Sequence, residues 1–330
     1  MLKNSSIFIT GGTGSFGKEF VENTLKKYNP KKIIIYSRDE MKQWEMAQKY
    51  SNEPRVKFVI GDVRDKDRLK YCIENSEFVV HAAATKIVPT AEYNPIECIK
   101  TNIEGAANLI DACVEKKVKK VVSLSTDKAS NPINLYGATK LASDKLFIAA
   151  CLNPKENKPL FSLVRYGNVI ASRGSVIPFF IKQSKEQKFL TITDLKMTRF
   201  MITLKDAVEL VWHAFEDMRG SEIYVKKIPS MTISEISDAV NPNIEKKIIG
   251  IRPGEKIHEQ MIGFEDAPFT YSYDGYYKIL PMIDDIYKDP ARIKNGNLVS
   301  PDFIYRSDLN NKWMKSYELR EILIGKGLLN

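Results

Sequence analysis

Apolar residues gather in short runs that recur along the first half of the chain. The runs at 6–10, 32–36, 56–60, 78–82, 121–125 and 161–165 read as strands. Between them, apolar positions return at helical spacing over 15–27, 95–116 and 135–150. Near-continuous apolar strands alternating with amphipathic helices predict a parallel sheet covered on both faces. After about Arg173 the rhythm changes, and short elements mix with Pro178, Pro229, Pro253, Pro268 and Pro281. The pattern predicts an α/β chain with a doubly wound parallel sheet over 1–172. A smaller C-terminal α/β lobe over 173–330 would supply a substrate wall, with some segments returning to the sheet.

Composition narrows the picture. The chain has 330 residues, 43% of them apolar, enough for a large core, and 28% charged, which argues against disorder. A formal charge of +9 suits nucleic acid, a membrane surface or a phosphate-rich small molecule. The lysines are scattered in pairs such as Lys26-Lys27 and Lys119-Lys120, with no interleaved aromatics, no zinc-finger spacing and no RNA-binding fingerprint. A solvated basic surface is therefore expected, with no nucleic-acid partner. Cys72, Cys98, Cys113 and Cys151 form no CxxC pair and read as reduced thiols of a cytoplasmic protein. His81, His213 and His258 have no metal-ligand partner at usable spacing, so no metal site is expected. A strand by Ser6 leaves no room for a signal peptide, and no apolar run approaches the ~18 residues of a membrane span.

Two motifs carry chemistry. The first is Thr10-Gly11-Gly12-Thr13-Gly14-Ser15-Phe16-Gly17, between the first strand and the first helix. In that context glycines let the backbone approach a pyrophosphate resting on the helix N-terminus, as in a Rossmann-type dinucleotide fold. The second strand ends in Ser37-Arg38-Asp39-Glu40-Met41-Lys42. Ser37, Arg38 and Lys42 suit the 2′-phosphate of NADP, whereas Asp39 leaves a ribose hydroxyl, and so NAD, open. Asp62-Val63 follows the third strand, where such folds cover adenine. The fourth strand leads into Ala82-Ala83-Ala84-Thr85-Lys86, whose small residues admit a cofactor, while His81 reads as a core histidine.

The second motif is Tyr136-Gly137-Ala138-Thr139-Lys140, with the phenol and the amine four residues apart on one helix face. A cation beside a phenol favours the phenolate, which can accept a hydroxyl proton while carbon loses hydride. Just before that helix lie Thr126, Asp127 and Lys128, at a strand end that faces the ligand crevice in such sheets. Thr126 is placed to bond a sugar oxygen. Asp127 and Lys128 add an acid and a base that a plain dehydrogenase does not need.

The glycine spacing resembles that of the extended short-chain dehydrogenase/reductases. Thr126-Asp127-Lys128, the Tyr136/Lys140 pair and Arg165-Tyr166-Gly167-Asn168-Val169 resemble the inverting UDP-N-acetylglucosamine 4,6-dehydratases, nearest the group that begins pseudaminic acid synthesis. Further matching runs are 37–40, 91–95, 197–200 and 251–256, so the resemblance spans Ile9 through Trp313. It implies an NADP-dependent hydro-lyase that acts on UDP-N-acetylglucosamine and assembles as a homo-oligomer. Tyr136, helped by Lys140, would deprotonate the C4 hydroxyl as hydride leaves C4. Lys128 would take the C5 proton, protonated Asp127 would release the C6 oxygen as water, and hydride would return to C6. The resemblance also nominates Lys86, Asn168, Arg199, Arg252 and Glu255 for substrate and places Val169 on the cofactor side. Retaining relatives carry Asp-Glu where this chain has Asp127-Lys128. One departure is Thr85-Lys86-Ile87, where the family usually has Leu-Lys-His. A related epimerase or reductase would keep Tyr136 and Lys140 without needing the Asp127–Lys128 pair, and a non-catalytic NADP sensor would need neither pair.

Overall fold

The computed structural model describes residues 2–151 and 158–329. The six apolar runs form β1 (Ser6–Thr10), β2 (Lys32–Ser37), β3 (Val56–Ile60), β4 (Phe78–His81), β5 (Lys120–Leu124) and β6 (Leu160–Arg165). They lie in the order β3-β2-β1-β4-β5-β6 in a ten-stranded sheet, paired in parallel throughout. Ile7, Phe8, Ile9, Val79, Val80, Val121 and Val122 are fully buried, as a sheet covered on both faces requires. Strand order reverses between β1 and β4, which opens a crevice at their C-terminal ends.

The second half contributes to the same sheet. Ile223–Lys226 pairs in parallel with β6, and Tyr276–Ile279, Thr270–Ser272 and Asn297–Leu298 extend the edge in antiparallel fashion. The helix Leu204–Asp217 packs against the first helix, Ser15–Tyr28. A separate core gathers Ile177, Phe180, Leu190, Ile192, Met201, Ile236, Leu319 and Leu323. Among the described residues, no helix is long and apolar enough to cross a membrane.

The helical pattern at 95–116 is not one uniform helix. Pro95–Ile99 and Gly105–Glu115 flank a widened π-turn at Lys100–Glu104. Asn102 on that turn accepts from the Thr85 backbone N–H at 2.8 Å and donates to the Thr85 carbonyl at 3.0 Å and to Thr139 Oγ1 at 3.0 Å. Single wide turns of this kind occur mainly at functional sites. Here the turn ties the segment after β4 to the helix carrying Tyr136.

Candidate active site

The glycine-rich loop sits against the end of β4. Gly11 has φ +66°, and a Cβ there would lie 2.8 Å from the backbone of Ala82 and Ala83. A Cβ on Gly17 would lie 2.3 Å from the Gly12 carbonyl oxygen. Only glycine permits either approach. Gly14 caps the helix Ser15–Tyr28 without any side-chain bond, so the first-turn N–H groups stay available to an anion. Phe16 is buried and stacks on Phe20. Ser15 Oγ accepts from the Arg173 N–H at 3.2 Å.

At the end of β2 the polar residues divide their work. Ser37 is buried, and its hydroxyl accepts from Thr13 at 3.2 Å and Gln43 at 3.0 Å, so only its own proton remains to give. Asp39 caps the helix Glu40–Lys49 by accepting from the Lys42 N–H at 3.0 Å, and its carboxylate also pairs with the Lys42 ammonium. The Lys42 hydrogen bond holds that carboxyl below its usual range. The acid that left NAD open is thus engaged within its own helix start. Arg38 stays 58% exposed, 3.6 Å from Asp62 Oδ2. Asp62 is held by Arg64 at 2.7 Å, and Val63 is buried against Gly105.

Thr10 organises the end of β4. Its hydroxyl oxygen accepts from the Ala82 and Ala83 N–H groups at 3.2 Å and meets His81 Nδ1 at 2.8 Å. Burial, then the Lys140 charge, push the His81 pKa down to about 3, so this ring is a neutral core histidine. Lys86 donates to the Arg173 carbonyl at 2.9 Å.

The acid–base cluster lies on the other side of the crevice. Thr126 starts a short 3-10 turn, Asp127–Ala129, and accepts from the Lys128 N–H at 3.3 Å. Asp127 is 1% exposed, and its Oδ1 accepts from Thr126 Oγ1 at 2.9 Å and from Lys128 Nζ at 3.0 Å. Lys128 Nζ also lies 3.3 Å from Oε1 of Glu259, itself 2% exposed. Burial raises the Asp127 pKa, and the Lys128 charge works against it. Burial opposes charge on Lys128, but Asp127 and Glu259 prevail and hold the ammonium above its ordinary range. The sequence suggested a partly neutral lysine. The structure sets a second carboxylate, Glu259, beside Lys128 as well, and the two carboxylates favour the charged form of the lysine.

Tyr136 and Lys140 are both buried at the start of the helix Leu135–Ala150, which Asn134 caps through the Gly137 N–H at 2.7 Å. Burial pushes the Tyr136 phenol up to about 12; Lys128 and a hydrogen bond with Thr126 oppose that rise. Burial lowers the Lys140 pKa, against the charge of Asp144 one turn on. Asp144 accepts from Ser125 at 2.5 Å and Arg165 at 3.4 Å, which fixes the floor of the site.

The nominated substrate residues are distributed unevenly. Asn168 and Val169 form a short strand beside Met201-Ile202, and Asn168 Oδ1 is buried without a partner. Glu255 Oε2, Asp127 Oδ2 and Glu259 Oε2 are likewise unpaired. Buried polar atoms left without partners mark places where a ligand or water completes the set. Arg252 pairs with Glu255 at 2.9 Å and is 53% exposed. Arg199 is committed elsewhere: it donates to the carbonyls of Thr198 at 2.7 Å, Ile257 at 3.0 Å and Lys256 at 3.0 Å. Glu259 and Asn102 escaped the sequence reading. Glu259 lies three positions beyond the matched run 251–256, with nothing in its neighbours to link it to Lys128, and Asn102 carried no signal beyond its polarity in an apolar helix pattern.

This geometry has relatives. The family model described as polysaccharide biosynthesis protein matches residues 7–281. The chain is 54% identical over 329 residues, 98% of each chain, to the inverting UDP-N-acetylglucosamine 4,6-dehydratase of Campylobacter jejuni subsp. jejuni serotype O:2. It is 44% identical over 289 residues, 86% of this chain and 84% of the relative, to a UDP-glucose 4-epimerase of Rickettsia akari. Among solved structures, that of Pen from Bacillus thuringiensis superposes with a TM-score of 0.91 at 35% identity, covering 100% of both chains. The chain belongs to the polysaccharide biosynthesis protein family, in the branch that contains the inverting UDP-N-acetylglucosamine 4,6-dehydratases.

Proposed function

We propose that the protein is an inverting UDP-N-acetylglucosamine 4,6-dehydratase that works with a bound nicotinamide dinucleotide, specifically NADP. The observation that carries this reading is the pairing of buried Asp127 with half-buried Lys128, 3.0 Å apart, beside Tyr136. The glycine cradle and the uncapped first turn of Ser15–Tyr28 fit a pyrophosphate. Arg38, exposed and only loosely paired with Asp62 at 3.6 Å, stands beside an Asp39 engaged in its own cap and fits a 2′-phosphate better than a 2′-hydroxyl. When bound, the nicotinamide supplies a hydride acceptor and donor.

The chain's own residues supply the proton chemistry. Tyr136 takes the C4 hydroxyl proton, and its high pKa makes the neighbouring cations Lys128 and Lys140 necessary to that step. Once C4 is a ketone, the C5 proton is acidic. Transfer of one proton from Lys128 Nζ to Asp127 along their hydrogen bond gives a neutral amine and a neutral carboxylic acid with no change in net charge. Those are the forms needed to remove the C5 proton and to protonate the departing C6 oxygen. Elimination then leaves the pair as ammonium and carboxylate. Arg252, Glu255, Asn168 and Lys86 face the substrate, with Arg252 suited to the diphosphate. Arg199 supports the segment 256–259.

The test is incubation with UDP-N-acetylglucosamine in heavy water, read by mass spectrometry and NMR. The expected product has lost one water, carries deuterium at C5 and has the L-arabino 4-keto configuration. An unchanged mass with a changed C4 configuration identifies an epimerase, the activity named for the Rickettsia relative. Deuterium with C5 configuration retained overturns the inverting assignment alone.

A further inference from the structure

Lys128 lies between two carboxylates, although the proton chemistry above uses only one. Asp127 Oδ1 is 3.0 Å from its Nζ and Glu259 Oε1 is 3.3 Å away. Glu259 is held in place from several sides. Its N–H donates to Ser307 Oγ at 2.9 Å, its carbonyl accepts from the Ser307 N–H at 2.8 Å, and Arg199 Nε lies 3.9 Å from its Oε1. Arg199 in turn clamps the carbonyls of Lys256 and Ile257. A carboxylate buried this deeply is costly unless it is paired, and the partner it approaches most closely is Lys128.

We propose that Glu259 is a positioning residue that sets the basicity of Lys128. With Asp127 it clamps the ammonium, and it stabilises the cation that forms when Lys128 takes a proton from the sugar. This inference rests on Lys128 being the base at C5. In that step the C5–H bond breaks, an N–H bond forms at Nζ, and the C–H electron pair enters the C4–C5 enolate. The enolate then expels the C6 oxygen, which leaves as water with the Asp127 proton. In this step alone, once the proton has passed from Lys128 to Asp127, the cluster goes from neutral amine and acid to ammonium and carboxylate. Glu259 favours the end state by attraction, so it strengthens the base at the moment of transfer. The other charged or titratable groups around Lys128 are Tyr136 from the helix, Arg199 from its strand, Lys256 from the segment preceding Glu259, and Lys86 beyond β4. All three of these cations oppose charge on Lys128, so Glu259 and Asp127 are what counter them.

The test is the pH profile of dehydration by the cofactor-loaded enzyme. Glu259→Gln removes the charge and keeps the shape. A weaker base that loses its proton earlier is expected: kcat falls by roughly three- to ten-fold, and its acid limb moves down by about one pH unit. KM stays within about two-fold because the contact that matters here is the one between Glu259 and Lys128. Glu259→Asp keeps the charge at a greater distance and moves the limb less. Should the glutamine variant not fold, the direction of the aspartate shift decides the matter. A lowered kcat with the acid limb unmoved overturns the inference and leaves a purely structural role. Lys128→Ala separates the two levels: if that variant dehydrates at the wild-type rate, the assignment of Lys128 fails first.

Discussion

At the scale of single residues, cofactor choice turns on two neighbours of opposite charge. Arg38 and Asp39 are adjacent, and the sequence alone left NADP and NAD both open there. The fold separates them, because Asp39 begins a helix and its carboxylate takes the cap and the Lys42 ammonium, while Arg38 stays exposed with a long 3.6 Å contact to Asp62. Capping by aspartate is worth ~1 kcal/mol, so this carboxylate gains from staying where it is. Arg38→Ala is expected to weaken NADP binding about ten-fold, the size of a lost charge-assisted contact of ~1.5 kcal/mol. NAD binding should change little. Fluorescence titration of cofactor-stripped protein with each dinucleotide checks this, and an equal loss for both would remove Arg38 from the 2′-phosphate site. The same scale shows why Glu259 was illegible. Its neighbours in sequence, His258 and Gln260, give no hint of Lys128, and only the strand contacts at Thr198 and Ser307 bring the two together. Tyr136, Lys140, Asp127 and Lys128 were legible because their spacing is local, within one loop and one helix.

At the scale of elements, the decisive junction is the 3-10 turn Asp127–Ala129 against the helix Leu135–Ala150. The turn carries the acid and the base, and the helix carries the phenol. Gly137 lets them meet: a Cβ there would lie 2.3 Å from the Lys128 carbonyl oxygen and 3.0 Å from Pro132 Cβ. Backbone on one side and a proline ring on the other cannot give way cheaply. Gly137→Ala normally favours a helix by ~1 kcal/mol. Here overpacking of ~1–3 kcal/mol outweighs that gain. The variant is expected to melt lower and to lose most dehydration, as the turn shifts away from Tyr136. Thermal melts with turnover assays decide it, since a higher melting temperature would show that the loop can yield. Element boundaries in this region were readable to within a residue, because apolar period and cap residues agree. The π-turn at Lys100–Glu104 was not readable, because Asn102 makes its bonds to Thr85 and Thr139, which are remote in sequence.

At the scale of the whole molecule, the two halves of the chain share one sheet, and within the second half a buried charge cluster ties the added strands to the helix Leu204–Asp217. Asp217, at the end of the helix Leu204–Asp217, accepts from Lys278 Nζ at 2.7 Å and Tyr224 Oη at 2.8 Å, and pairs with Lys294. Lys278 is 1% exposed on Tyr276–Ile279, and Tyr224 lies on the neighbouring strand Ile223–Lys226. None of these edge strands was legible individually. They are short and carry lysine and tyrosine where an apolar run would announce a strand, and this cluster adds to their apolar burial. Burial pushes the Asp217 pKa up, but the bonds from Lys278, Lys294 and Tyr224 prevail and hold it at about 2. A carboxyl whose folded pKa lies below its unfolded value stabilises the fold at pH above the unfolded value near 3.9. That contribution is lost as pH falls from there toward the folded value of about 2. Asp217→Asn removes the charge but keeps a side chain of similar shape, and it leaves Lys278 buried with a weaker partner. The variant should therefore melt well below wild type at pH 7. The gap should narrow steadily below about pH 4, as wild type protonates and comes to resemble the variant. Melting curves of both proteins from pH 7 to pH 3 measure that gap. A constant difference across the range would mean that the carboxylate charge does not hold the edge of the sheet to the helix, and that shape alone does.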